Sequence, residues 1–244
     1  MYTFQSRIRY SEVGSDGRLT LESLLDYFQD ASTFHSEDIG LGVAYLKEKS
    51  MAWVLSSWQI VVERYPRLCE NVVVGTAPYD FKGFIGYRNF WMETEEGERL
   101  AYANSIWSLM DVVKMAPAKP PVEMIEGYIL SEKIVMDYAP RKIAIPDNGQ
   151  VQEEIQVRPH HLDTNGHVNN GQYVRMAMDY IPGDFQIRQM RAEYKKQAVL
   201  HDRIIPTAAV NAEKTLYTVS LDGADGKPYS IVEFAAADYG KDMA

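Results

Sequence analysis

One cysteine, Cys69, stands in a chain of 244 residues. No disulfide can form within the chain, and a lone thiol points to a reducing, cytoplasmic setting and to a packing role. No run approaches the roughly 18 apolar residues that a membrane-spanning helix needs. The opening MYTFQSRIRYSEVG has no apolar core, so no secretory signal is expected. Positive charge is in the minority: 25 Lys and Arg face 34 Asp and Glu, a net −9. That balance argues against nucleic acid and against anionic membrane surfaces as partners. There is no G-x-G-x-x-G, P-loop, H-E-x-x-H or cysteine pair, so no nucleotide, no zinc and no other cofactor is implied. What remains is 46% hydrophobic and 24% charged, ordinary for a globular protein with a sizeable core. Sixteen tyrosines and four tryptophans favour sheets.

A repeat is visible. Setting Arg9 on Arg158 pairs RYSEVGSDGRLTLESLLDYFQDAS with RPHHLDTNGHVNNGQYVRMAMDYIP without a gap. Val13 falls on Leu162, Gly17 on Gly166, Leu19 on Val168 and Asp30 on Asp179. Each copy then enters helical spacing, through Leu21, Leu24, Leu25 and Phe28 in the first and Val174, Ala177, Met178 and Ile181 in the second. After the first helix come AWVLSSWQIVVERY, NVVVGTAPYDF, IGYRNFWMET and RLAYANSIWSLMDV; after the second come FQIRQMRAEYKKQAV, DRIIPTAAVNAE, TLYTVSLD and YSIVEFAAADY. All eight read as strands bounded by turn residues. Each half is thus a leading strand, one helix and about four strands, with residues 1–111 the first half and 150–244 the second. The linker, 112–149, is proline-rich in KMAPAKPP and YAPRKIAIPDNG, with VEMIEGYILSEKIV a short helix between them. The fold class is α+β: two antiparallel sheets, each wrapped around a long helix. In the second helix Arg175 and Asp179 lie four apart and mark an exposed stripe.

The second copy carries more polar groups than its helix start requires. One asparagine caps a helix by taking a free backbone N–H. Asp163, Asn165 and His167 alternate before that cap, and in extended chain alternate residues face one side. They are expected to converge on a cavity beside backbone amides near Val168 and Asn169, which would hold an oxyanion. A carboxylate, an amide and an imidazole beside such a site suit acyl transfer to water. The first copy has Gly14, Asp16 and Arg18 at those places, as if one half kept chemistry and the other kept shape. His160 and His161 are adjacent and should diverge in extended chain.

LDTNGHVNNGQYV resembles the signature of hotdog-fold thioesterases. The doubled half and the D-x-N-x-H-V-N-N-x-x-Y pattern resemble the acyl-ACP thioesterases of bacteria and plant plastids, over nearly the whole chain. The resemblance implies a tandem double hotdog, hydrolysis of fatty acyl-ACP in fatty acid biosynthesis, acyl carrier protein as partner, and Asp163, Asn165 and His167 as catalytic. A homodimer is one assembly compatible with it. Plant members carry a Glu-Cys pair in E-Y-R-R-E-C; this chain reads EYKKQA, with Gln197 and Ala198 there. A cysteine nucleophile at that place is excluded; Gln197 is counted with Val168 and Asn169 as substrate-binding, and whether it orients water or has no role stays open.

Other readings stay open on sequence alone: acyl-CoA hydrolysis, a non-catalytic acyl-thioester sensor, or a dehydratase, which would need a carboxylate facing His35. An acidic carrier meeting this acidic chain needs a local basic patch. The candidates are Arg141, Lys142, Lys195, Lys196 and Arg203. The apolar groups Leu24, Leu25, Phe28, Trp53 and Trp58 are expected to line an acyl channel in the first half.

Overall fold

The computed structural model describes residues 1–236; the end of the strand read through Tyr239 lies outside the described residues. By its contacts the chain divides into two compact units, Met1–Ser56 with Val62–Tyr138, and Ser57–Val61 with residues from Ala139 onward.

The first unit begins with β1 (Tyr2–Arg7), a 3₁₀ turn (Tyr10–Glu12) and α1 (Leu21–Asp38). Then come α2 (Val43–Glu48), β2 (Met51–Val62), β3 (Asn71–Lys82), β4 (Ile85–Glu93), β5 (Arg99–Asp111), β6 (Ala116–Pro117) and α3 (Val122–Gly127). Antiparallel pairing runs β1–β3–β4–β5, with β6 on β5. Thr20 caps α1 by accepting the Ser23 N–H on its Oγ1 at 3.2 Å. Leu21, Leu24, Leu25, Phe28, Ala31, Ser32 and His35 recur at helical spacing and form its buried face. That face packs on β3 and β1. The short helix expected over VEMIEGYILSEKIV stops at Gly127. Tyr128 turns extended and buries its ring, and the Ser131 N–H is drawn to the Pro78 carbonyl at 3.0 Å.

The second unit holds β7 (Gln150–Val151), β8 (Ile155–Gln156), a 3₁₀ turn (Pro159–His161), α4 (Asn170–Met178), β9 (Gln189–Tyr194), β10 (Arg203–Val210), β11 (Leu216–Gly223) and β12 (Pro228–Ala235). The Ser57–Val61 stretch of β2 pairs with β9, and pairing continues β9–β12–β11–β10. The leading strand of this half is broken into β7 and β8, both on β10. Pro206 of β10 lies between the two contacts; it has no N–H to give and only accepts, from Gln152 at 2.8 Å. The helix is also shorter than its spacing suggests. It ends at Met178, before Ile181 and Pro182, because the residue preceding a proline is pushed out of helical conformation. Tyr173, Val174, Met176 and Ala177 are buried, while Arg175 and Asp179 are exposed as the stripe required.

The repeat holds in backbone detail. Each helix is preceded by a 3₁₀ turn and a tight hairpin, closed by the bridges Val13↔Leu19 and Leu162↔Val168. In each hairpin a glycine occupies the left-handed region, Gly17 at φ 71° and Gly166 at φ 78°. A Cβ added at either would meet no neighbour, so only the backbone requires glycine. Gly17→Ala and Gly166→Ala should therefore each destabilise by about 1–2 kcal/mol in denaturant titration. A loss at one position only would show that the two hairpins are not the same device.

Candidate active site

The second-half hairpin is built from its own polar groups. The Asp163 N–H donates to the His167 carbonyl at 2.7 Å, and the Gly166 N–H to the Asp163 carbonyl at 3.1 Å. The Asp163 carboxylate accepts the N–H of Asn165 at 2.8 Å and of His167 at 3.1 Å, both on Oδ1. The trio therefore does not alternate along extended chain; it lies on one tight turn whose carboxylate is held by two amides. Asp163 and His167 are half-buried and Asn165 is exposed. Among the described residues, neither the Asn165 amide nor the His167 ring has a hydrogen-bond partner.

The amides expected to hold an oxyanion are spoken for. The Val168 N–H donates to the Ala198 carbonyl and the Asn169 N–H to the His161 carbonyl, each at 2.9 Å. Asn169 is the cap, its Oδ1 accepting the Gly171 N–H at 2.8 Å. The helix start still offers an N–H at Asn170, which has no partner inside the helix.

His160 and His161 do not diverge. The 3₁₀ turn brings their rings to 4.2 Å, edge to face. His161 Nδ1 accepts the Arg158 N–H at 3.0 Å. Burial, with His160 and Arg158 nearby, holds its pKa below the usual histidine value. In the first half Glu12 plays this part, accepting the Arg9 N–H at 2.8 Å.

A second loop, between β9 and β10, braces the hairpin. His167 bridges to Val199. The buried Tyr173 hydroxyl accepts the Ala198 N–H at 2.9 Å, and burial pushes its pKa well above the usual phenol value. Asp202 then closes the loop, accepting from the Val199 N–H and from the Tyr229 hydroxyl, each at 3.0 Å. Burial, then this bond, pushes Tyr229 up to about 12. Tyr194 donates to the Asn170 carbonyl at 3.1 Å. Sequence reading set Tyr173 in the motif without a role. Its spacing, four residues after the cap on the buried face, was the available signal.

Similarity to known proteins extends over most of the chain. Residues 1–128 match the acyl-ACP thioesterase N-terminal domain and residues 144–230 the corresponding C-terminal domain. The chain belongs to the acyl-ACP thioesterase family. It is 28% identical over 208 residues to a chloroplastic palmitoyl-acyl carrier protein thioesterase of Arabidopsis thaliana, covering 78% of this chain and 50% of that one. It is 24% identical over 208 residues to a chloroplastic dodecanoyl-[acyl-carrier-protein] hydrolase of Umbellularia californica, covering 78% and 54%. The chain spans about half the length of the plant relatives first matched. Among solved structures, an acyl-ACP thioesterase from Bacteroides thetaiotaomicron superposes with a TM-score of 0.87 at 24% identity, covering 96% of both chains. The 12:0-ACP thioesterase from Umbellularia californica superposes at 0.84 and 20%, again over 96% of both. These two establish the fold, the double hotdog expected from the motif.

Within this acyl-ACP thioesterase fold, Gln197 is exposed and Ala198 is buried. Ala198 stands where the resemblance puts a plant cysteine, and both its backbone groups are engaged. Cys69 is exposed rather than buried, at φ 67°, on a turn of the first unit that carries no part of the trio. The first unit has a cavity of about 140 Å³ bordered by Trp53, Phe81, Tyr87, Arg88, Trp107 and Tyr128, among others. Of the five apolar residues expected to line a channel, only Trp53 borders it. Leu24, Leu25, Phe28 and Trp58 are at most 1% exposed and are core. A hollow of about 500 Å³ in the second unit, near Asp179, Tyr180 and Tyr217, is not lined by the trio either. Among the described residues His35 has Arg88 and no carboxylate as a partner, so they offer it no dehydratase pair.

Tyr173→Phe removes the acceptor of a buried amide. It should cost about 1–3 kcal/mol and speed hydrogen exchange at the Ala198 N–H. Unchanged exchange there would show that the hydroxyl does not hold this loop.

Proposed function

We propose that this chain hydrolyses fatty acyl-ACP thioesters to free fatty acid and ACP in fatty acid biosynthesis, using Asp163, Asn165 and His167. One observation carries the reading: the same hairpin is built twice, and only the second copy presents a pinned carboxylate, an amide and an imidazole together. Family membership supports the reaction class. Water is activated by Asp163 or His167 and adds to the thioester carbonyl. The tetrahedral intermediate expels the thiolate, which takes up the proton removed from water. In this reading Asn165 and the Asn170 N–H orient the carbonyl or the water, and Gln197 belongs to the bracing loop between β9 and β10. Direct attack by Asp163, through a mixed anhydride that water then opens, is the variant chemistry. The setting proposed is the cytoplasm.

Asp163→Ala, Asn165→Ala and His167→Ala should each lower kcat/KM for acyl-ACP by about 10²–10⁴-fold, with melting measured in parallel. Near-native rates in all three would move the active site elsewhere.

ACP is the proposed carrier, with acyl-CoA the runner-up. The structure narrows the docking candidates. Lys195 pairs with Glu193 at 3.0 Å, Lys196 with Asp225 at 2.8 Å and Arg203 with Glu154 at 3.6 Å. Arg141 and Lys142 are exposed and, among the described residues, have no ion pair. Their backbone is held by Arg191, whose Nη2 donates to the carbonyls of Pro140 and Lys142. Arg141→Glu with Lys142→Glu should raise KM several-fold for acyl-ACP and leave acyl-CoA nearly unchanged. Equal effects on the two substrates would remove the patch from carrier docking, and faster turnover of acyl-CoA by the native chain would put the runner-up first.

A further inference from the structure

The first unit buries a cation without a counter-ion. Arg88, on β4, is 8% exposed. Its Nη1 donates to Nδ1 of His35 at 3.1 Å and to Oγ1 of Thr76 at 3.2 Å. The guanidinium carbon lies 5.3 Å from the centre of the Tyr128 ring, a cation–π distance. Among the described residues, no carboxylate pairs with it, and Nε and Nη2 have no hydrogen-bond partner. Burial lowers its pKa only to about 10, so it stays charged at neutral pH. His35 does not compete for that role: burial, then the neighbouring Arg88, lowers it to about 4, leaving a neutral ring that accepts.

Arg88 borders the 140 Å³ cavity. Trp53, Phe81, Trp107 and Leu46 give apolar walls, and Tyr128 shares a hydrogen bond of 2.7 Å with Ser36 at its side. The rim is formed by exposed Thr33, Glu37 and Val43. Glu37 is the carboxylate on this rim, and it is turned to the Val43 N–H, which it accepts at 2.8 Å. An isolated buried charge is costly unless a partner arrives. The vacant guanidinium edge is a fork suited to a carboxylate. A void of about 150 Å³ takes a six-carbon ring, which sets the scale of the apolar part.

We infer that the first-unit cavity binds a carboxylate on an apolar chain of about six to eight carbons, with the carboxylate on Arg88. The inference goes beyond the hydrolysis proposed above and does not need it. Calorimetry with octanoate, octan-1-ol and octylamine tests it directly. Octanoate should bind one per chain, about ten- to a hundredfold tighter than octanol, the range of a charge-assisted hydrogen bond. Octylamine should be weakest. Arg88→Met should abolish the preference for octanoate over octanol, while Arg88→Lys keeps part of it.

Should Arg88→Met fail to fold, the native protein suffices. Titration of bound octanoate labelled with ¹³C at its carboxyl should give a pKa below that of free octanoate. Equal binding of octanoate and octanol, a preference that survives in Arg88→Met, or an unshifted carboxyl would each overturn the inference. The same carboxylate could belong to a free acid or to the far end of an acyl chain. If Arg88→Lys changes only octanoate binding, the ligand is a free acid. If it also selectively slows hydrolysis of the mono-CoA thioester of octanedioic acid relative to octanoyl-CoA, it is the chain end.

Discussion

Everything in the candidate site hangs on one brace: the backbone tie between the residue before the helix cap and a second loop. In the first unit the Leu19 N–H reaches the Pro66 carbonyl at 2.8 Å; in the second the Val168 N–H reaches that of Ala198 at 2.9 Å. Each tie fixes the hairpin against a loop distant in sequence, and the helix can then start in only one direction. The loop is itself closed by an acid, Glu70 accepting the Arg67 N–H and Asp202 accepting the Val199 N–H. Its next corner is left-handed in both, at Cys69 and His201, with φ 67° and 72°. A residue held there points away from the core, which is why the lone cysteine is exposed although thiols are usually buried.

This brace was half legible in sequence. The matching order of strands after each helix, AWVLSSWQIVVERY before NVVVGTAPYDF and FQIRQMRAEYKKQAV before DRIIPTAAVNAE, puts the two loops at equivalent places. The eight strands were readable because apolar and β-branched runs alternate with turn residues, and α1 because its buried positions keep a period near 3.6. The two misses around the hairpin share one cause. Extended geometry was assumed for Asp163 to His167 and for the adjacent His160 and His161, whereas short-range hydrogen bonds curl both segments. Side chains such as Asp163 compete for local amides, and that competition turns a strand into a hairpin. The role assigned to the Val168 and Asn169 amides failed similarly, since both are consumed by the brace.

The first unit shows what sequence patterning conceals altogether. His35 follows Leu24, Phe28, Ala31 and Ser32 on the buried face of α1, and Arg88 alternates with Gly86, Phe90 and Met92 on β4; nothing in their spacing separates them from core positions. Only the fold shows that Arg88 meets a neutral imidazole, a threonine hydroxyl and an aromatic face. Those partners solvate part of the guanidinium without neutralising it. A core that merely needed filling would be served by a hydrophobic residue of that volume.

The two hairpins differ in where the acid sits, and that placement decides which side chains the turn consumes. In the first, Asp16 stands late in the turn and accepts one amide, from Arg18, at 3.0 Å. In the second, Asp163 stands two residues before the equivalent place and accepts two. One early acid therefore does the work of closing the turn, and the side chains at 165 and 167 are released from it. Asparagine and histidine can occupy those places with their polar ends unpaired, at no further cost to the backbone. Moving the acid back to position 165 would close the turn in the first-half manner and leave position 163 without its carboxylate. The brace, glycine and cap are common to both copies; the trio takes three differences, Asp163 for Gly14, Asn165 for Asp16 and His167 for Arg18, of which the early acid is the one that closes the turn.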